Sequence, residues 1–194
     1  MPLDFTDHMG RLIADIAARC PELSHVDPAR LLTCFSQARS AGTGGTYAKI
    51  APLRFEGGAE VVERRGRVWQ MPKLTFESRE VLYLVYFTLP RFCDLPFEQK
   101  LITTFHELYH ISPDFNGDLR RLPGKNYAHG HSREAYNRRM RALTEAYLAL
   151  PERDGLLDPL RVDFKALLAR HGRVVGRRMR VPTPIRVHDP LAGR

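Results

Sequence analysis

Cysteine is scarce in this chain. Its 194 residues hold three, Cys20, Cys34 and Cys93, odd in number and widely spaced. With no Cys-x-x-Cys pair, neither a disulfide framework nor a cysteine-built zinc site is suggested; buried, reduced thiols in a cytosolic protein are the expectation. Long apolar runs are also missing. Met1 to Cys20 is interrupted by Asp4, Asp7, Arg11 and Asp15, unlike a signal peptide, and no stretch is long enough to span a bilayer. A cytoplasmic protein without a membrane partner is therefore expected. There is no internal repeat and no low-complexity block. Hydrophobic residues make up 43% and charged residues 27%, the balance of an ordinary folded domain rather than a disordered chain. The length suits one domain with its own core and room for an appended tail.

Positive charge is present in excess. The formal net charge is +8, and arginines crowd the second half: Arg133, Arg138, Arg139, Arg141, Arg170, Arg173, Arg177, Arg178, Arg180 and Arg186. Such a surface can hold phosphates or acidic proteins, so nucleic acid is a candidate partner. A solvated arginine-rich face explains the same composition, because no nucleic-acid-binding motif accompanies it.

Apolar spacing outlines the elements. Phe5, Met9, Leu12, Ile13 and Ile16 predict an amphipathic helix ending near Cys20-Pro21. Leu31 to Gln37 and Thr46 to Phe55 suit strands, separated by the flexible turn Ser40 to Gly45. Val61-Val62 and Val68 to Met71 flank Arg64-Arg65-Gly66-Arg67 as a hairpin. Glu80 to Leu89 predicts one strand, apolar on both faces, covered by helices on one side and ended by Pro90. Asp94 is a candidate cap for a helix with Pro96 in its first turn, running to about Ile111. Ser132 is a candidate cap for a further helix bearing Tyr136, Met140, Leu143 and Tyr147, closed by Pro151. A short helix is predicted from Val162 to His171, stopped by Gly172. Residues 189–194 are expected to fray.

The helix before Pro113 carries the chemistry. On a helical wheel Gln99, Thr103, His106 and His110 share one side, and Leu101, Ile102, Phe105, Leu108 and Tyr109 share the other. His106-Glu107-Leu108-Tyr109-His110 is His-Glu-x-x-His. Two histidines four residues apart on a helix reach one tetrahedral ion, and Zn2+ is the ion that this ligand type suits. Glu107 lies one step around, out of ligand reach but able to act as general base on an activated water. Two exposed histidines on an amphipathic helix would carry the same letters without a metal.

A catalytic zinc site takes a third protein ligand and keeps a position open. The extended His-x-x-Gly-x-x-His pattern is absent, because Pro113 and Asn116 occupy those places. The candidates downstream are His131, favoured, and His129, with Asp114, Asp118 or Glu134 if the site uses a carboxylate. Tyr127 and Tyr136 are candidate oxyanion donors, although each also suits a packing role. Phe115-Asn116-Gly117-Asp118 reads as a turn that carries the chain from one metal-binding helix to the next.

Tyr47-Ala48-Lys49-Ile50, Arg91-Phe92, Leu95, Thr104 to Ile111 and Phe115-Asn116-Gly117-Asp118-Leu119-Arg120 together resemble a group of uncharacterised predicted zinc metallopeptidases of bacteria, archaea and phages. The resemblance spans about residues 45–140 and extends toward Pro182-Thr183-Pro184. More distantly the chain is similar to SprT-like zinc proteases. There a downstream histidine completes the site, and His131-Ser132 followed by Ala135-Tyr136 is similar to that segment. The resemblance implies a zincin-like α+β domain over residues 1–151, with a small, mostly antiparallel sheet packed on the active-site helix and a second ligand-bearing helix. A basic extension, residues 152–188, and the tail 189–194 follow it. The implied activity is zinc-dependent hydrolysis of a protein or peptide substrate with Glu107 as base. SprT-like enzymes act on proteins bound to DNA, which agrees with the basic charge. The alternative is a zinc-stabilised adaptor or DNA-associated protein without proteolysis.

Overall fold

The computed structural model of the protein describes residues 1–38, 45–122, 132–151 and 155–187. In chain order the elements are β1 (Leu3–Asp4), α1 (Phe5–Arg19), β2 (Leu31–Gln37), β3 (Ala48–Pro52), β4 (Val61–Arg64), β5 (Arg67–Gln70), β6 (Leu74–Phe76), β7 (Arg79–Val81), β8 (Tyr83–Leu89), α2 (Phe97–Tyr109), α3 (Arg133–Leu148), α4 (Phe164–His171), β9 (Val174–Val175) and β10 (Ile185–Val187). The fold is mixed α+β with small sheets. No described helix is long and apolar enough to cross a membrane.

The central sheet has the order β2-β8-β3. β2 runs parallel to β8, with Leu31 opposite Tyr83, and β3 runs antiparallel to it, with Ile50 opposite Val85. This sheet is thus mixed rather than mostly antiparallel, although the β10-β5-β4 sheet and the β6-β7 pair are antiparallel. The strand expected over Glu80 to Leu89 is broken at Leu82: β7 pairs with β6, and only β8 enters the central sheet.

Period-two alternation along β8 divides the core. Tyr83, Val85 and Phe87 join the main apolar cluster with Met9, Leu12 and Ile16 of α1 and Leu101, Phe105 and Leu108 of α2. Leu84 and Tyr86 face the other way, into a smaller cluster with Leu32, Cys34, Ala51 and Leu53, covered by Leu74, Phe76 and Met179. The strand is therefore covered on both faces, by helices on one and by the β6-β7 hairpin with the 179 region on the other. That accounts for its unbroken apolar run.

Helix ends follow side-chain chemistry. Asp4 caps α1 by accepting from the Asp7 amide at 2.9 Å, and Ser132 caps α3 by accepting from the Ala135 amide at 3.2 Å. Gly172, with φ +69°, ends α4. Asp94 does not cap α2. The residue before that helix is Pro96, with no side-chain bond to the first turn, and the Asp94 carboxylate instead accepts from the Phe164 amide at the start of α4. The carboxylate serves whichever helix start offers it an unpaired amide.

The chain's C-terminal part folds back on its beginning. β9 pairs in parallel with β1, the Arg177 amide donates to Thr6 Oγ1 at 2.9 Å, and the Phe35 amide donates to the Arg177 carbonyl at 2.9 Å. The expected tail, 189–194, lies outside the described residues.

Candidate metal centre

α2 is amphipathic as its spacing predicts. Leu101, Phe105, Leu108 and Tyr109 are buried, whereas Gln99, Thr103, His106 and His110 are half-buried along one stripe. The imidazoles of His106 and His110 stand with ring centroids 4.7 Å apart, at 81° to each other. Neither is buried in the core, and both lie on the same stripe of the helix.

Glu107 lies one step around the helix from that stripe and is only 9% exposed. Burial pushes its carboxyl up to about 7, opposed by a hydrogen bond from the Ile50 backbone. The sheet geometry explains that bond. The Thr88 amide donates to the Tyr47 carbonyl and the Leu53 amide to the Leu82 carbonyl. Antiparallel alternation then gives the odd-numbered residues of β3 to β8 and turns the backbone groups of Ala48, Ile50 and Pro52 to the outer edge. The Ile50 N–H is therefore available to Glu107, and β3 is the strand that passes it.

Tyr136, the first aromatic of α3, packs against the pair. Its ring centroid lies 5.0 Å from that of His106 and 5.8 Å from that of His110, nearly parallel to the latter at 20°. Its hydroxyl donates to the His106 carbonyl at 3.3 Å. Burial raises its pKa, so the phenol stays protonated. This places a sequence-predicted oxyanion donor beside the histidines, with its hydrogen bond directed to the backbone of α2.

A helix ends with four carbonyls that lack intrahelical partners, and at α2 each has one. The His106 carbonyl accepts from Tyr136, Glu107 from the His110 amide at 3.2 Å, Leu108 from the Ile111 amide at 3.1 Å, and Tyr109 from Arg120 Nε at 2.8 Å. The Arg120 amide also donates to the His110 carbonyl at 2.7 Å. The Arg120 guanidinium lies 4.1 Å over the Tyr109 ring, and Arg139 of α3 covers the same ring at 5.0 Å.

The segment after α2 is thus more than a connector. Ile111 bridges Leu119, and the Ser112 amide donates to the Asp118 carbonyl, so the chain returns along the helix end. Its tip is held from below by Tyr83, whose hydroxyl donates to the Asp118 carbonyl at 2.7 Å and accepts from the Gly117 amide at 2.9 Å. Gly117 has φ +87°, and a Cβ there would come within 2.5 Å of Arg54 Cγ, so glycine is required on both counts.

The remaining sequence-predicted site residues divide in two. His129, His131 and Tyr127 lie outside the described residues. Among the described residues, no group of three or more His, Cys, Asp or Glu side chains is arranged to hold a metal ion. Asp114, Asp118 and Glu134 therefore do not complete the pair. Asp118 is used by the return segment, accepting from the Gly57 and Leu119 amides, and the exposed Glu134 pairs with Arg138.

Three participants were not identified from the sequence. Ile50 acts through its backbone, which no side-chain pattern signals. Tyr83 reads as one more apolar residue in a strand. Arg120 belongs to the Phe-Asn-Gly-Asp-Leu-Arg stretch, but its partner is a helix end rather than a ligand. Compared with known protein families, curated proteins and solved structures, the chain shows no match to any.

Proposed function

We propose that this protein is a zinc-dependent peptidase of zincin-like architecture, similar to predicted metallopeptidases and, more distantly, to SprT-like proteases. The observation that carries the reading is the pairing of two half-buried imidazoles one turn apart with a buried glutamate between them whose carboxyl titrates at about 7. The donor set fits zinc: two neutral nitrogen ligands on one helix face, with His131 or His129 as the candidate third. When bound, zinc supplies Lewis acidity that polarises a scissile carbonyl and acidifies water.

The chain's own residues do the rest. Glu107, desolvated and held by the Ile50 N–H, has a proton affinity suited to accepting a proton from the attacking water near neutral pH. It then delivers that proton to the amide nitrogen that leaves. Tyr136 and Arg120 fix the end of α2 and so the angle at which His106 and His110 are presented. β3 is an edge strand whose outer backbone groups run past Glu107, a geometry that favours an extended peptide laid beside it. Peptide-bond hydrolysis is therefore preferred to attack on a small ester or amide.

Two measurements test this together. The purified protein should contain about one zinc per chain, greatly reduced in His106→Ala and His110→Ala. Cleavage of denatured casein should stop on chelation and return with added zinc. Metal-loaded protein that cleaves neither casein nor any other protein offered would favour the adaptor reading, in which zinc only supports the fold.

A further inference from the structure

The face of the central sheet turned away from α2 ends in a second feature that the peptidase reading does not use. Beyond the apolar cover of Phe76 and Met179, strands β2, β3 and β8 and the segment around residue 180 enclose an open cleft of about 980 Å3. Four cationic side chains line it: Lys49, Arg91, Arg178 and Arg180. Among the described residues, no acidic side chain lines it. Several bases elsewhere have acidic neighbours, as in Arg30 with Glu80, Lys73 with Glu60 and Arg177 with Asp7. Lys49, Arg178 and Arg180 form no ion pair among the described residues. Like charges gathered with no acidic side chain among the described lining residues produce a positive potential that a multivalent anion relieves.

Two of the cations are held in place. Lys49 Nζ sits 4.9 Å from the Tyr86 ring centroid, and the Arg178 guanidinium lies 5.7 Å over Phe35. Hydroxyls stand among them, including the Ser36–Thr88 pair at 3.1 Å. Tyr86, whose ring carries Lys49, is 3% exposed.

We propose that this cleft binds the phosphates of a phosphate-bearing ligand. The same chemistry is shared by the phosphate chain of a nucleotide and by the backbone of a single-stranded nucleic acid. The volume exceeds what one phosphate fills and suits several in a row. The site lies on the opposite face of the sheet from Glu107, and its occupancy is measured without any hydrolysis, so it stands or falls apart from the peptidase reading.

The test titrates the full-length protein with inorganic tripolyphosphate and, separately, with a fluorescent oligothymidylate, each at two salt concentrations. Saturable, salt-sensitive binding of at least one probe is expected. Lys49→Glu with Arg178→Glu should weaken it by about tenfold or more, as loss and reversal of phosphate contacts require. Tyr86→Phe, which keeps the ring beside Lys49, should leave binding unchanged. Binding of tripolyphosphate alone would support a small phosphate ligand, and binding of the oligonucleotide alone would support a nucleic-acid backbone. A control on the β4–β5 hairpin, Arg64→Glu with Arg67→Glu, should leave tripolyphosphate binding unchanged. Absence of binding by either probe, or an equal loss in the hairpin control, would overturn the proposal.

Discussion

Replacing Tyr83 by Phe removes one oxygen atom from the most buried part of the sheet. Tyr83 is fully buried, and burial pushes its phenol up to about 12, so at neutral pH it is present as the donor and acceptor that the structure requires. Its hydroxyl makes two bonds to the return segment after α2, to the Asp118 carbonyl and from the Gly117 amide. The losses are unequal. The Asp118 carbonyl keeps a second partner, the Ser112 amide at 3.2 Å, so that bond accounts for about 0.5–1.5 kcal/mol. The Gly117 amide would be left buried and unpaired, at about 1–3 kcal/mol. Packing is unchanged, since Phe fills the same space. The expected sum is about 1.5–4.5 kcal/mol of destabilisation, read as a lower urea midpoint with an unchanged slope. The same segment brings Arg120 to the carbonyls of Tyr109 and His110, so weaker zinc binding should accompany the loss of stability. A change below about 0.5 kcal/mol, smaller than one net hydrogen bond, would refute the view that Tyr83 anchors the segment behind the candidate metal helix.

Lys100 is 2% exposed and donates from Nζ to the Leu160 and Val162 carbonyls at 2.9 and 2.6 Å; Lys100→Met should destabilise the protein by about 2–4 kcal/mol in urea titration, because two carbonyls lose their partner. Tyr136→Ala should weaken zinc binding by about tenfold or more in a chelator competition, as loss of a supporting contact does at metal sites, whereas Tyr136→Phe, which keeps the ring beside both imidazoles, should stay close to wild type. His8 donates from Nε2 to the Leu156 carbonyl, and its pKa is lowered by burial, and further by Arg11 and His171, against the opposing pull of that bond and of Asp158. A histidine whose folded pKa lies below its unfolded value contributes stability that is complete above the unfolded value, about 6.5, and lost as pH falls toward the folded one. Between pH 7.5 and pH 5, His8 and the similarly shifted His25 therefore pull the melting temperature down while Glu107, raised to about 7, pulls it up; His8→Gln should make the pH 5 minus pH 7.5 difference in melting temperature more positive than in wild type, and an unchanged difference would contradict this.

The elements that the sequence made legible are those whose side chains carry their own signal. The stripe Gln99, Thr103, His106 and His110 emerges half-buried as its spacing predicts, and Ser132 caps α3. Asp94 and the 80–89 run misled because both depend on distant partners. An aspartate near a helix start can serve a different helix, and an apolar run does not reveal that β7 leaves for β6 while β8 continues alone. The return segment was legible as a turn but not as the closure of α2, because its key bonds go to backbone carbonyls. The pairing of Glu107 with the Ile50 amide was hidden for the same reason, since only the register of β3 on β8 exposes that N–H. The candidate third ligands, His129 and His131, lie outside the described residues.

The central claim is that Glu107 moves the proton in peptide-bond hydrolysis while the histidines hold zinc. The most direct measurement incubates zinc-loaded wild type and zinc-loaded Glu107→Gln with the same peptide library and follows the products by mass spectrometry, with zinc content measured on both. The account predicts equal zinc in the two proteins, discrete cleavage by wild type, and a loss of about 100-fold or more in the variant, the scale of a general base. A variant that keeps its zinc and cleaves as fast as wild type would contradict it.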